Sequence, residues 1–338
     1  MNLRHRIRTL IPVGLACAAA LISTDAPAQA PVEWRFFTYF PVNDKPTQLN
    51  RAFAEDVGKA TNGRLKITVL AAGELPFKAP DVLRIVSTNQ VQMGDVALGF
   101  VAGDVPALNV LQLPFLCTSY DQFDRVLPAV SGAADAELQK KFGLTVGVHW
   151  TMPPQNLWLN RPVSTLADLK SLKVRAWNPE QVEMMKRLGG SAISITSAEV
   201  IPALERKVID GAITSALSAN DWKAFEIVRT GYMINVTMGH QVMLVNSAEL
   251  AKLAPDVRAI LTAKFKEWAP KYRQMSEEGD QAARRNLSAN KVTLVEPTTE
   301  DRQRAKSLME PMWAEWARKH GDVAQKMLDD ASRLCAVK

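Results

Sequence analysis

The sequence predicts an α/β fold organised as two lobes, and three observations lead there. Short β-type runs alternate with longer helical ones through most of the chain, the pattern of strand–helix–strand units with largely parallel sheets. Taking away a 30-residue leader from 338 residues leaves 308, enough for two domains of ordinary size. No Gly/Ser linker, internal repeat or low-complexity tract separates the halves, so the chain is expected to cross between lobes more than once.

Residues 1–30 read as a secretory signal peptide. Arg4, His5, Arg6 and Arg8 form a basic region, and residues 10–22 form an apolar run too short to span a bilayer comfortably. Ala26-Pro27-Ala28 and Ala28-Gln29-Ala30 supply small-residue cleavage sites. Cleavage is expected near Ala30, with the mature chain in the periplasm. Cys17 follows Gly14-Leu15-Ala16, which lacks the large aliphatic residue of a lipoprotein signal.

The mature elements follow in order. Residues 34–39 (Trp-Arg-Phe-Phe-Thr-Tyr) read as a strand, 47–60 as a helix stopped by Asn62-Gly63, and 64–70 as an alternating strand. A helix at 80–88 precedes a strand at 91–97. Strands at 144–150 and 156–159 open the second half. Thr165-Leu166-Ala167-Asp168 and Thr196-Ser197-Ala198-Glu199 both fit capping boxes, the second starting a helix at 200–206. Between them lie a strand at 172–177 and a helix at 180–188 ending at Gly189-Gly190; Asp210-Gly211 turns into a strand at 212–215. Val257, Ile260, Leu261, Phe265 and Trp268 define a helical stripe that Pro270 is expected to kink or end. Leu308, Met309, Trp313 and Trp316 mark a further amphipathic helix.

The net charge of +6 falls to +4 without the leader (38 basic against 34 acidic residues), which is no nucleic-acid signature. No second apolar run approaches membrane-spanning length. Cys117 and Cys335 remain, and a disulfide or two buried thiols are both open. His149, His240 and His320 have no metal-ligand spacing, and no zinc-protease, phosphate-loop, dinucleotide or nucleophile-elbow motif is present. No catalytic residue, metal site or cofactor is expected.

Residues 161–175, Arg-Pro-Val-Ser-Thr-Leu-Ala-Asp-Leu-Lys-Ser-Leu-Lys-Val-Arg, resemble the "kPI-s-l-DLKGLKIR" signature of one family. It is that of the solute-binding subunits of tripartite ATP-independent periplasmic (TRAP) transporters. The likeness continues in order through Leu188-Gly189-Gly190, Ala198-Glu199-Val200, Ala203-Leu204 and Val208-Ile209-Asp210-Gly211-Ala212. Asn62-Gly63-Arg64-Leu65, Gly73-Glu74-Leu75 and Leu113-Pro114-Phe115-Leu116 extend it over nearly the whole mature chain. The resemblance implies a periplasmic binding protein-like fold with a ligand cleft between lobes and a long lobe-spanning helix. Lobe I is then expected at 31–152 plus about 241–282, and lobe II at 153–240 plus about 283–338. It also implies integral membrane TRAP subunits as partners.

Arg175 ends the signature where the family's arginine forks onto a substrate carboxylate. A guanidinium matches that group with paired planar donors and keeps its charge when buried. By the same resemblance Gln155 and Thr214 stand where sialic-acid-binding members carry an arginine and an asparagine, and Asn178 matches an asparagine of theirs. Ser197, where they carry an aromatic, reads equally well as a helix cap. Ser215 is placed with Thr214. Ile213 stands where keto-acid binders use a metal-holding glutamate, which predicts metal-independent binding. Among aromatics near the expected cleft, Trp177 and Trp150 rank first as ligand contacts, then Tyr39 and Phe77; Phe40, Phe100, Trp158 and Trp222 are also near. One carboxylate fork with aromatic walls suits an aromatic or apolar 2-oxo or 2-hydroxy monocarboxylate. The alternatives to a transport receptor are an exported enzyme acting on a small organic acid and a periplasmic ligand-binding accessory of a sensor.

Overall fold

A computed structural model describes residues 30–336; the leader expected at the N-terminus falls on residues 1–29, outside the described residues. Along the chain, β1 (Val32–Phe37) buries Trp34, Phe36 and Phe37. α1 (Lys45–Ala60) turns Phe53, Ala54 and Val57 inward and stops at Asn62 (φ 51) and Gly63 (φ 76), both left-handed. β2 (Leu65–Leu70) alternates as its sequence does, with Leu65, Ile67 and Val69 facing the core. A 3-10 turn runs into α2 (Val82–Ser87), and β3 (Met93–Ala97) is buried throughout. α3 (Tyr120–Phe142) starts on Ser119, whose hydroxyl accepts from Gln122 N at 3.3 Å, and ends on Gly143 with φ 63.

β4 (Leu144–Met152) leads through Pro153-Pro154 into β5 (Gln155–Leu159). Then come β6 (Lys173–Ala176), α4 (Pro179–Arg187), β7 (Ser191–Ser194), α5 (Val200–Glu205), β8 (Gly211–Ser215), α6 (Ala216–Asp221) and β9 (Thr230–Tyr232). The chain continues with β10 (Gly239–Asn246), α7 (Ser247–Lys252), α8 (Pro255–Ala289), β11 (Thr293–Val295), α9 (Thr299–His320) and α10 (Asp322–Cys335).

The strands form two sheets, in the orders β2-β1-β3-β10-β4 and β11-β9-β5-β8-β6-β7. Both are mixed, which corrects the expectation of largely parallel sheets. β10 is antiparallel to β3 and β4, and β5 is antiparallel to β8 and β9. The reason is the crossing: β5 and β10 each enter their sheet from the other one, so they run against the strands they join. The two crossing segments are stitched together, with Gln155 N donating to Thr237 O and Val236 N to Gln155 O. One backbone seam therefore links the lobes there.

α8 is 35 residues long, about 52 Å at 1.5 Å per residue. It packs on α1 and β4 of the first lobe and on α6 and β11 of the second, so it is the lobe-spanning helix. It continues through Pro270, so of the two expectations for that proline the stop is not met. Pro270 is on the exposed face, where water can serve the carbonyl that loses its donor. On either side Trp268 Nε1 donates to Asp56 at 2.7 Å and the Tyr272 hydroxyl to Asn50 at 2.7 Å, holding the helix against α1.

The tail departs from the expected division of the chain. α9 begins on the second lobe, where Asp301 accepts from Leu166 N and the Tyr232 hydroxyl, and reaches the first through Trp313, which donates to Pro114 O. α10 packs on α3 and on the 3-10 segment Pro106–Gln112, so it rides on the first lobe and not on the second. Cys335 is disulfide-bonded to Cys117, with Cα atoms 5.5 Å apart, which decides between the two alternatives for the thiols. Among the described residues no helix is long and apolar enough to cross a membrane.

Candidate ligand-binding site

Arg175 is the third residue of β6, at the end of the strand that meets the other lobe. β6 is flanked by β8, with Arg175 opposite Ala212, and by β7, with Arg175 opposite Ile193. The guanidinium is held between those neighbours: Nε donates to Ile195 O at 3.0 Å and Nη1 to Ile213 O at 2.9 Å. The residue is 2 % exposed. Among the described residues no carboxylate pairs with it; Glu199 and Tyr39 act on it only through space. Burial pushes its pKa down to about 9, which still leaves it charged at neutral pH. An unpaired buried cation is costly, and this one faces a cavity.

The cavity lies between the lobes. Its aromatic walls are Tyr39, Phe40 and Phe100 from the first lobe and Trp177 and Trp222 from the second. Polar groups come from Gln155, Ser197, Thr214, Ser218 and Gln241, with Met152 and Gly239 completing the wall near the crossing segments. Tyr39 stacks on Phe40 (centroids 4.1 Å) and meets Phe100 edge-on, and Phe100 in turn contacts Trp177 at 5.6 Å. The Trp222 ring lies 5.9 Å from the Arg175 carbon, near the outer limit for a cation–π contact.

Two amides are set for an acceptor. Gln241 Oε1 takes the Tyr39 hydroxyl at 3.0 Å, which leaves its NH2 free to donate. Gln155 Nε2 gives one hydrogen to Pro153 O at 2.7 Å and keeps the other. A Cβ on Gly239 would meet Met152 Cβ at 2.8 Å, so glycine is what lets β10 pass Met152 beside the two amides. Burial pushes the Tyr39 hydroxyl well up, with Asp95 adding to it, so it stays a neutral donor.

Five of the nine residues expected from the sequence meet on this wall: Tyr39, Gln155, Arg175, Trp177 and Thr214. Four do not. Asn178 caps α4, its Oδ1 accepting from Gln181 N at 2.8 Å. Ser215 caps α6, its hydroxyl accepting from Ser218 N at 3.1 Å. Trp150 is a layer behind, between Phe40 and Tyr272. Phe77 lines a neighbouring cavity that shares only Tyr39 with this one. Phe40, Phe100 and Trp222 were visible as nearby aromatics, whereas Gln241, Ser218 and Gly239 were not anticipated. Gln241 and Gly239 belong to β10, a strand without an alternating pattern. Ser197 reaches the wall while Thr196 and Glu199 close the expected capping box, Thr196 N donating to Glu199 Oε2 at 2.9 Å.

The lobes also touch across the cavity mouth, through the ion pair Lys78–Glu199 at 2.9 Å and a seam at Asp44 and Trp222, whose indole donates to Asp44 Oδ2 at 3.1 Å. Gly99 is the closest approach. A Cβ there would lie 2.5 Å from Trp177 Cζ3, so only glycine lets the first lobe seat against that indole.

Residues 41–320 match the sequence model of bacterial extracellular solute-binding protein family 7, DctP. The chain belongs to this family. The signature read at 161–215 lies within the residues that this family model matches. A solute-binding protein of Chromohalobacter salexigens is 25% identical over 310 residues, covering 91% of this chain and 90% of its own. An extracytoplasmic solute receptor of Bordetella pertussis that binds pyroglutamic acid superposes with a TM-score of 0.85. It is 25% identical, covering 89% of this chain and 100% of its own. A TRAP periplasmic solute-binding protein of C. salexigens solved with bound d-glucuronate gives 0.82 at 24% identity, covering 89% and 99%. These relatives are receptors, and the two-lobed fold is theirs.

Proposed function

We propose that this chain is an extracytoplasmic receptor that captures a small monocarboxylate between its lobes and delivers it to the membrane subunits of a TRAP transporter. The observation that carries the reading is Arg175, a buried guanidinium without a counter-ion that faces the inter-lobe cavity. A ligand carboxylate supplies the missing charge and takes the remaining donors. Among the described residues Arg175 is the one cation on the cavity wall, which favours a monoanion over a dicarboxylate. The amides of Gln155 and Gln241 suit a neutral carbonyl or hydroxyl at the other end, and the aromatic walls suit a flat or apolar body.

The same description covers the pyroglutamic acid of the Bordetella receptor and the 2-oxo and 2-hydroxy monocarboxylates inferred from sequence. The closing bodies are 31–152 with about 241–282 and the tail helix α10, against 153–240 with the first part of α9. The leader is taken to be cleaved near Ala30, which places the receptor in the periplasm. Isothermal titration calorimetry with pyroglutamate, phenylpyruvate and lactate tests the reading: micromolar or tighter binding without consumption of the acid is expected. Turnover, or binding by none of a broader organic-acid panel, refutes it. Ile213 has no ligating atom in its side chain, and its carbonyl is already engaged by Arg175. Binding is therefore expected to be unchanged by EDTA and by replacing sodium with potassium.

A further inference from the structure

We propose that Asp44 and Asp221 form a proton-linked latch, so that the lobes close over the cavity with one proton held at this seam and closure tightens as pH falls. The proposal rests on the receptor reading in taking lobe closure to be the binding-competent state.

The seam is a reciprocal exchange. Asp44 and Lys45 stand at the start of α1 on the first lobe, and Asp221 and Trp222 at the end of α6 on the second. Lys45 N donates to Asp221 Oδ2 at 3.0 Å, and Trp222 Nε1 donates to Asp44 Oδ2 at 3.1 Å. Trp222 is also cavity wall, so closing the seam sets one side of the site. Each lobe thus offers a backbone or indole donor and receives a carboxyl.

The exchange brings two carboxyls together where little water reaches. Asp44 is 2 % exposed, and among the described residues no ion pair involves it or Asp221. Two neighbouring carboxyls, Asp44 buried and Asp221 half-buried, cannot both ionise without a penalty. Their surroundings decide which keeps the proton. Asp221 accepts from Lys45 N at 3.0 Å, and Asn220 and the Lys45 charge help it. Asp44 has only the indole donor. Burial first, then Asp221, push the Asp44 carboxyl up to about 8, and Asp221 is raised as well, chiefly by burial.

The other groups facing the seam do not titrate in the same window. Tyr39, on which both Asp44 and Arg175 act, stays a neutral hydroxyl. Glu199 is held down at about 2 by Lys78 and Thr196, so it does not change charge in that window.

The sign follows from linkage. With the lobes apart both carboxyls are hydrated and titrate near 4; closed, Asp44 holds its proton up to about 8. The closed state binds the extra proton, so closure is tightest below about 4, weakens by at most tenfold per unit as pH rises from about 4 to about 8, and is insensitive to pH above that.

Nitroxide labels on Lys66→Cys, exposed on β2, and Arg206→Cys, exposed after α5, report lobe separation by pulsed electron resonance in the ligand-free protein. The described cysteines, Cys117 and Cys335, are bonded to each other and do not compete for label. The ratio of closed to open protein is expected to be at least about tenfold higher at pH 5.5 than at pH 8.5. Asp44→Asn, a neutral mimic of the protonated side chain, should hold the low-pH ratio at both values. Asp221→Asn should shrink the shift by removing the neighbouring charge, with melting curves confirming that both variants fold. Equal ratios at the two pH values in the wild type, or a full shift retained in Asp44→Asn, overturns the latch. Failure of pyroglutamate to bind at either pH bears on the receptor reading alone, because the label distances are read without ligand.

Discussion

Replacing Arg175 with methionine separates the two roles that the cavity assigns to it. Burial lowers the guanidinium from 12.5 to about 9, which corresponds to about 5 kcal/mol spent on keeping the charge there. Methionine removes that penalty with a side chain of similar reach. It also strips the donors from Ile195 O and Ile213 O, at ~1–3 kcal/mol for each orphaned carbonyl. The two effects nearly offset. The ligand-free variant should therefore melt within several degrees of the wild type. Binding should behave differently. Loss of one partner of a buried ion pair removes ~3–5 kcal/mol, or more than a hundredfold in Kd. Differential scanning fluorimetry gives the first quantity and calorimetry the second, with whichever acid of the panel the wild type binds best. A variant that binds that acid within threefold of the wild type would show that the guanidinium is not the carboxylate receiver. A fall in melting temperature above about 15 °C would show that the charge is a structural asset and would overturn the energetic argument.

Two further outcomes follow from close contacts and covalent ties. Gly99→Ala places a methyl 2.5 Å from Trp177 Cζ3, and overpacking of this kind costs ~1–3 kcal/mol. Because the clash is between lobes, it should appear mainly as tenfold or greater weakening of ligand affinity in calorimetry, with each lobe still folded by circular dichroism. The Cys117–Cys335 bridge spans 218 residues, and closing so long a loop is worth about 5 kcal/mol in the chain-entropy account. Cys117→Ser with Cys335→Ser should lower the melting temperature by about 10 °C, and a dithiothreitol scan of the wild type should approach the same value.

The parts of the fold that were legible are those whose pattern is local. The unit from β1 to β3 alternates strand and helix, with a left-handed stop at Asn62-Gly63, and each piece could be read within a window of ten residues. Both capping boxes formed, because Asp168 and Glu199 need only the residues three before them. β10 was not legible: all eight of its residues are buried between β3 and β4, so no polar face marks its period. β9 and β11 have three residues each, too few for any pattern. The site divides the same way. Arg175 carries its own chemistry and sits in a recognisable motif, whereas Gln241 and Gly239 reach the cavity only because the chain crosses back at 236–239. Trp150 was ranked high as a strand-end aromatic, yet it lies in the layer beneath Phe40. No sequence signal says which of two neighbouring indoles faces inward.

The unpaired guanidinium also explains why capture and closure are one event. In the closed lobes without ligand, Arg175 bears a desolvation penalty that Tyr39 and Glu199 offset only in part, through space. Parting the lobes lets water reach it, so the empty protein is driven toward the open form by the group that binds. A carboxylate reverses the balance by supplying the counter-charge inside the cavity. Neutral analogues should then fail in a characteristic way. An amide or ester of the same acid fills the same aromatic walls but leaves the cation unpaired, so it should neither bind tightly nor close the lobes. If an amide closed them as fully as the acid does, closure would have to come from the walls and the seam contacts, and not from charge neutralisation at Arg175.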